Sequence, residues 1–529
     1  MTEPVQAKIL VIITAGGKSN AAPMLEVARI LHSRGHTIEL ATLAGNEGWA
    51  AECSFVTRTY KLGPGVPEDV EEREYLAMST WENSRYTTDY SAMFRSRRFM
   101  AHSWPNVYKS LCIIVEDEKT RPDLLLADYG VDAARDMTIQ YGLPIALHYS
   151  QMPTSMLYAS YIPGIPGLQF EILTSENASL AQRLLNDLLP LRLLGSFIRH
   201  GTWLREMRAA AGVRWALPRA KKPDHLILVN SFFGLEVPKD LPPLVAPVGP
   251  ILGETFPQLG PELGAFIEAR HRILYVSLGT HVLLSHDALY KILTGAAKAL
   301  QENLFDGVLW SMRGLAKKQF DLKADLPPEL GLSKATVGDL FESAHPNFVL
   351  VAFAPQRAIL EHAHTVAFLS HCGPASANEA AYHGVPIIGI GVYFDQLQCA
   401  LRLRDAGVAV ILDKTLFSPD DIREALRQVS TDENGTFKAN CRRLQRIARI
   451  ASKRKFHAAD LIEEVLIHAD AKAELGQLGP PLHLQTADTR LPRWKANAWD
   501  IKLIKLVSVA CVCGVLRLAY CGILGAGSN

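Results

Sequence analysis

The sequence predicts an α/β protein of two doubly wound domains that face a central cleft. Three observations carry that reading. The chain has 529 residues, too many for one ordinary core. Short apolar runs alternate with helix-period segments in two successive series. Between the series lies a Pro/Gly-rich stretch, Pro242 to Gly260 (PPLVAPVGPILGETFPQLG), with the composition of an interdomain linker.

In the first series, Ile9 to Thr14 is a continuous apolar run of strand type. Pro23 to Ser33 then carries Met24, Leu25, Val27, Ala28 and Leu31 at helical spacing, and Gly35 stops that helix. Thr37 to Thr42 is the next strand, which completes a βαβ unit and implies parallel pairing. Further strands are expected at Leu124 to Ala127, Pro144 to His148 and Leu226 to Val229. The second series predicts strands at Ile273 to Ser277, Gly307 to Ser311, Phe348 to Ala352, Val366 to Ser370, Pro386 to Ile390 and Val408 to Leu412, with helices such as Leu289 to Leu300 between them. Ligands of such sheets bind beyond the carboxyl ends of the strands. Two facing sheets can hold two reactants together and exclude water.

Composition excludes several classes. Hydrophobic residues make up 48% and charged residues 21%, as in folded globular proteins. Lys+Arg of 55 against Asp+Glu of 54 leaves no field to attract nucleic acid. The 8 cysteines show no zinc or disulfide spacing and read as reduced thiols of a cytosolic protein. The N-terminus reads as the start of a strand and not as a secretory signal.

The C-terminus differs. Leu506 to Ala526 is almost wholly apolar and about as long as the roughly 20 residues a span needs. Arg517 near its centre opposes insertion by on the order of 2.5–3.5 kcal/mol. Lys502 and Lys505 before the run suit a cytosolic flank. Membrane attachment at the cytoplasmic face is the expectation; a helix docked on the protein's own surface is the alternative.

One segment concentrates the chemistry: FAPQRAILEHAHTVAFLSHCGPASANEAAYHGVPIIGIGVYFDQ, Phe353 to Gln396. A strand ends in His371-Cys372-Gly373-Pro374, with Pro374 suited to the first turn of a following helix. Gly373 permits close backbone approach, and the free N–H groups of the helix start make an anion site. His371 and Ser376 can add donors to a pyrophosphate. Glu379, one turn on, can accept from ribose hydroxyls. Phe353 offers a stacking face for a base and Gln356 an amide, while Asp395 and Gln396 could grip sugar hydroxyls. Taken singly, each is more often structural; together they converge on one helix terminus.

This segment resembles the signature box of the family 1 UDP-glycosyltransferases, which runs from Trp-x-Pro-Gln through His-x-Gly and Glu to Asp-Gln with the same spacing. LYVSLGT at Leu274 to Thr280 is similar to the loop that opens the family's second domain, and VNSFFGLE at Val229 to Glu236, followed by VGPIL, to the segment before its linker. The likeness runs from Ile9 to about Val465, and the far tail looks like that of fungal members. It implies a GT-B fold, two Rossmann-like doubly wound domains facing a central cleft, and a UDP-sugar donor, expected to be UDP-glucose. The implied division is an acceptor-binding domain at 1–245, a linker at 246–263, a UDP-sugar-binding domain at 264–445, helices packing back towards the first domain at 446–500 and an apolar tail at 501–529. Carried over by position, Phe353 would stack on uracil with Ala354 beside it, and Gln356 would contact the nucleoside. Ser277, Gly279, Thr280, His371, Gly373 and Ser376 would hold the phosphates, Glu379 the ribose, and Asp395 and Gln396 the sugar. Phe in place of Trp keeps stacking with less ring area and no indole N–H. Ala375 stands where many plant members have Asn. No metal or cofactor is expected.

The family's catalytic base is a His in a Gly-His-x-x-Pro pattern. Counting back from Pro23 gives Asn20, an amide with no titration near neutrality. The Asp that orients the family's His matches Asp128 in LLLADYG. Three readings stay open: another base, such as Asp128 directly or through water; acceptors that need little deprotonation, such as amines or acidic phenols and thiols; or a catalytically silent UDP-sugar- or lipid-binding partner protein. Gly16-Gly17-Lys18-Ser19 resembles the end of a P-loop, but its first Gly would fall at Ile12, inside the strand. The acceptor pocket is expected from Tyr75 to Tyr90, Phe94 to Trp104 and Ser150 to Phe170, whose apolar and aromatic content suits a lipophilic acceptor such as a sterol, phenol or lipid.

Overall fold

The computed structural model describes residues 6–80, 91–153, 156–217, 222–475 and 482–526. Two wholly parallel sheets form its core. The first contains β1 (Lys8–Ile13), β2 (Thr37–Thr42), β3 (Val56–Lys61), β4 (Leu124–Asp128), β5 (Ile145–Tyr149), β6 (Leu226–Val229) and β7 (Val245–Pro247), in the spatial order β3-β2-β1-β4-β5-β6-β7. The second contains β8 (Ile273–Ser277), β9 (Gly307–Ser311), β10 (Phe348–Val351), β11 (Thr365–Ser370), β12 (Ile387–Gly389) and β13 (Ala409–Ile411), in the order β10-β9-β8-β11-β12-β13. Strand order reverses between β1 and β4 in one sheet and between β8 and β11 in the other. Loops leaving those strands part there, which opens the crevice where doubly wound sheets bind ligands.

The apolar runs become fully buried central strands because helices cover both faces. Ile9 to Ile13 and Leu124 to Ala127 are at most 1% exposed. The helix Lys18–Ser33 buries Met24, Leu25, Val27, Ala28 and Leu31 on the first sheet. It begins at Lys18 and not at Pro23, so Pro23 lies inside it. Pro23 has no N–H to offer Ser19 O, so the helix forgoes one internal hydrogen bond at its second turn. Two strands escaped the sequence reading. β3 lies at the edge of its sheet, is mostly polar and has no buried residue. The short β7 lies within the Pro/Gly-rich stretch and extends the first sheet, so the chain between the sheets starts only after Pro247.

The helix Lys455–Leu475 returns to pack on Lys18–Ser33. Lys455 Nζ donates to Glu26 Oε1 at 2.7 Å and to Leu252 O at 3.0 Å, with both charged side chains under 10% exposed. Arg34 reaches Asp460 at 2.7 Å and Glu463 at 2.6 Å. Although burial opposes ionisation, Glu26 has a lowered pKa because Arg29 and Lys455 bond its carboxylate.

The tail forms the helix Trp499–Ala526. Among the described residues, no helix is long and apolar enough to cross a membrane. Nor does this one lie down on the fold: Leu503, Ile504, Leu506 and Val507 are all more than half exposed.

Removing one partner of a buried ion pair strands the other charge. Lys455→Met should therefore destabilise the first domain by about 3–5 kcal/mol, read as a lower urea midpoint. The double variant Glu26→Leu/Lys455→Met should recover part of that loss. Equal midpoints for parent and single variant would show that the pair does not hold the helix down.

Candidate active site and donor pocket

Four segments converge on the cleft, one from each strand at the two switch points: Thr14–Asn20 after β1, Asp128 at the end of β4, Ser277–His281 after β8 and His371–Ser376 after β11. Parallel strands all deliver their carboxyl ends to the same edge, so the two crevices open towards each other.

The donor side is built around the helix Pro374–His383. Its N-cap, Gly373, makes no side-chain cap bond, which leaves the first-turn N–H groups facing the cleft. Cys372 just before it has φ +59, a left-handed conformation that costs about 1–3 kcal/mol for a residue with a Cβ. The strain persists because Cys372 is fully buried and its N–H bonds Ser370 Oγ at 3.2 Å. The turn it enforces aims His371 across the cleft floor at the Ser277–Thr280 loop. An added Cβ on Gly279, whose φ is +76, would stand 2.6 Å from the His371 ring, so only glycine fits. Burial and neighbouring His281 push the His371 imidazole down to about 4 against a backbone bond to Ser277, and its Nδ1 has no partner among the described residues. It is a neutral group with hydrogen-bonding capacity unspent.

Gln356 Nε2 donates to Glu379 Oε2 at 2.7 Å and to Ser376 Oγ at 3.2 Å, tying three predicted donor residues into one cluster. Burial raises the Glu379 pKa despite Gln356 and Arg357. Its grip on hydroxyls, which needs the carboxylate, therefore weakens on acidification sooner than that of an exposed Glu. Phe353 lines the same cleft with 74% of its surface exposed, a free stacking face, while Ala354 packs into the core and lines the cleft wall. Burial raises the pKa of Asp395 at the start of the helix Phe394–Asp405. Gln396 is committed differently from the sequence reading: its Oε1 accepts from Val392 N at 3.1 Å and Tyr393 N at 3.0 Å, so only its amide N–H groups are left for a sugar.

On the acceptor side, Asn20 lies over the Gly16 turn, where an added Cβ would meet its Nδ2 at 2.2 Å. Asp128 lines the cleft, with Oδ1 accepting from Gly130 N at 3.0 Å. His148 sits behind it, Nδ1 3.7 Å from Asp128 Oδ2, and is 2% exposed. Tyr75, Met78, Phe94, Met152, Phe197 and Trp203 supply apolar and aromatic wall. Residues 81–90 of the expected acceptor segment, and 154–155, lie outside the described residues.

The sequence reading passed over three cleft residues. Arg313 donates to Thr280 O at 3.0 Å, and Tyr393 Oη to His281 O at 2.6 Å. The His281 ring lies 5.0 Å from that of Tyr75. Tyr393 lies inside the Phe353–Gln396 segment but His281 and Arg313 lie in no motif, and the contacts of all three join segments distant in sequence.

Fold and site together define a GT-B glycosyltransferase. A model of the UDP-glucoronosyl and UDP-glucosyl transferase family matches residues 7–473. A UDP-glycosyltransferase of Talaromyces amestolkiae is 38% identical over 96% of each chain. UDP-glycosyltransferase FPY2 of Fusarium mangiferae is 35% identical over 97% of this chain and 98% of its own. Among solved structures, the kitacinnamycin glycotransferase superposes with a TM-score of 0.58 at 18% identity, covering 87% of this chain and 99% of its own. The calicheamicin glycosyltransferase CalG4 gives 0.54 at 18% identity, covering 90% of this chain and 100% of its own. The chain belongs to the family 1 UDP-glycosyltransferases and is an enzyme that transfers a sugar from a UDP donor.

His371→Ala and Glu379→Ala should each weaken UDP binding by about 1–3 kcal/mol, the effect of losing a hydrogen bond to a charged or buried partner. Titration calorimetry with UDP reads this directly. Unchanged affinity in both variants would remove the pyrophosphate and ribose from this helix terminus.

Proposed function

We propose that the enzyme moves glucose, with inversion, from UDP-glucose to a small lipophilic acceptor such as a sterol, phenol or lipid. The observation that carries this is the Gln356–Ser376–Glu379 cluster together with an open Phe353 face and His371. It brings a base platform, a ribose acceptor and an anion site into one cleft, the three things a UDP-sugar needs. The aromatic wall around Tyr75, Phe94 and Trp203 supports the lipophilic acceptor. The acceptor oxygen attacks the anomeric carbon from the face opposite the departing UDP, which inverts that centre.

The silent-partner reading draws on Asn20, whose amide cannot take a proton. UDP release separates the two. With UDP-glucose and a panel of oxygen, nitrogen and sulfur acceptors, release should depend on the acceptor and match glycoside formed. UDP binding with no release on any acceptor would establish a binding protein.

The tail is proposed to hold the enzyme on a membrane surface without spanning it. Supporting this, Leu503, Ile504, Leu506, Val509 and Val512 are exposed beside Lys502 and Lys505, a combination that suits an anionic lipid interface. Full-length protein should float with anionic vesicles, and a variant lacking residues 499–529 should not, while UDP binding survives. Equal flotation of both would move the contact elsewhere.

A further inference from the structure

We propose that His281, delivered by the second domain, is the general base that deprotonates the acceptor hydroxyl in place of a histidine at position 20. The inference rests on the transferase reading and adds to it the group that takes the proton.

The geometry is specific. Asn20 and the Gly16–Gly17 turn form the acceptor-side lip of the cleft after β1. A Cβ added to Gly17 would lie 3.1 Å from His281 Nε2 and 3.2 Å from Thr280 Oγ1, so the imidazole edge faces the turn on which a base at position 20 would stand. The histidine follows Gly279 and Thr280, the loop that packs against His371, and lines the same cleft as His371 and Asn20.

Its placement is also held. Tyr393 Oη donates to His281 O at 2.6 Å and stands 3.3 Å from Tyr75 O, clasping the loop between the Asp395 segment and the first domain. Tyr75 covers the ring at 5.0 Å. Yet neither ring nitrogen has a hydrogen-bond partner among the described residues, although both are buried. A buried imidazole with both nitrogens unsatisfied is costly unless something fills the gap. An acceptor O–H would do so at Nε2 once the Gly16–Gly17 turn, which packs against that nitrogen, moves aside.

The surrounding charges suit a base. Burial, then Arg313, push the free His281 imidazole down to about 4, so it is neutral and able to accept a proton at neutral pH. Tyr75 and Tyr393 bring no charge. A bound diphosphate adds negative charge beside it and shifts it upward, so its basicity rises when the donor is present. The step balances simply. The acceptor oxygen bonds the anomeric carbon as its proton passes to His281 Nε2. The bond from that carbon to the β-phosphate oxygen breaks, UDP leaves with the electron pair, and the proton later escapes to water.

Other groups are worse placed. Asp128 has one oxygen bonded by Gly130 N–H, and His148 is buried behind it and does not line the cleft.

The test is His281→Gln, which keeps a polar side chain and removes titration, assayed on full-length enzyme with UDP-glucose. Transfer to benzyl alcohol should fall by about 10²–10⁴-fold, the usual contribution of a general base, and its acid limb should disappear. In the parent that limb appears as activity lost when pH falls through the imidazole pKa of the donor complex. Transfer to aniline, whose nitrogen already carries a free pair, should fall by less than about tenfold. UDP affinity by calorimetry should stay close to that of the parent. Retained transfer to benzyl alcohol with the acid limb intact would overturn the proposal. So would a drop in UDP affinity that accounts for the whole rate loss, which would make His281 a donor-binding residue. A parent enzyme that transfers glucose to neither acceptor would instead remove the glucose-transfer reading on which the proposal stands.

Discussion

The cleft exists because the two sheets are pinned together behind it by buried polar contacts. Asn378 Nδ2, on the donor helix, donates to Asn230 O at 2.7 Å, while Asn230 Oδ1 accepts from Ile251 N at 2.7 Å. Arg402, from the helix Phe394–Asp405, bonds the buried Glu236 and Gln151 of the first domain. Arg357 donates to Gly253 O at 2.8 Å and lies over the Phe256 ring. Buried groups of this kind are expensive to separate, because each would lose its partner in a poorly solvated place. They fix how the carboxyl edges of the sheets face each other, and the chemistry follows from that facing.

The electrostatics of the site follow the same design. The helix terminus and the neutral histidines supply hydrogen bonds and dipoles, and Arg313 on Thr280 O sits at the rim. Burial above all holds His281 and His371 near 4, so both imidazoles are neutral at neutral pH. The incoming diphosphate brings the missing charge and alters the proton affinity of both. Donor binding and acceptor activation are in this way coupled through a few ångströms of low-dielectric cleft.

How much of this was legible in sequence depended on continuity. The segment Phe353 to Gln396 contains a strand, a turn and a helix in succession, so spacing alone placed Gln356, His371, Ser376 and Glu379 around one terminus. Strands buried on both faces were equally plain, as at Ile9 and Leu124. Edge elements were not: β3 is mostly polar, and β7 is a three-residue strand inside a proline-rich stretch. The start of the first helix was masked by Pro23, which reads as a first-turn residue but sits a turn further in. Gln396 shows a different limit, since its amide oxygen caps its own helix, a commitment that spacing does not reveal. His281 was invisible for the strongest reason. A single histidine after a loop carries no periodicity, and its importance arises only when β8 and β1 bring their ends together across two domains.

The most direct test of the account is an experimental structure of the full chain with UDP. Uracil should stack on Phe353, and the ribose hydroxyls should lie on Glu379. The diphosphate oxygens should sit within about 3.5 Å of the backbone N–H groups at Ala375 and Ser376 and of the His371 ring. UDP bound with its phosphates away from that helix terminus, or with Phe353 uncovered, would contradict it.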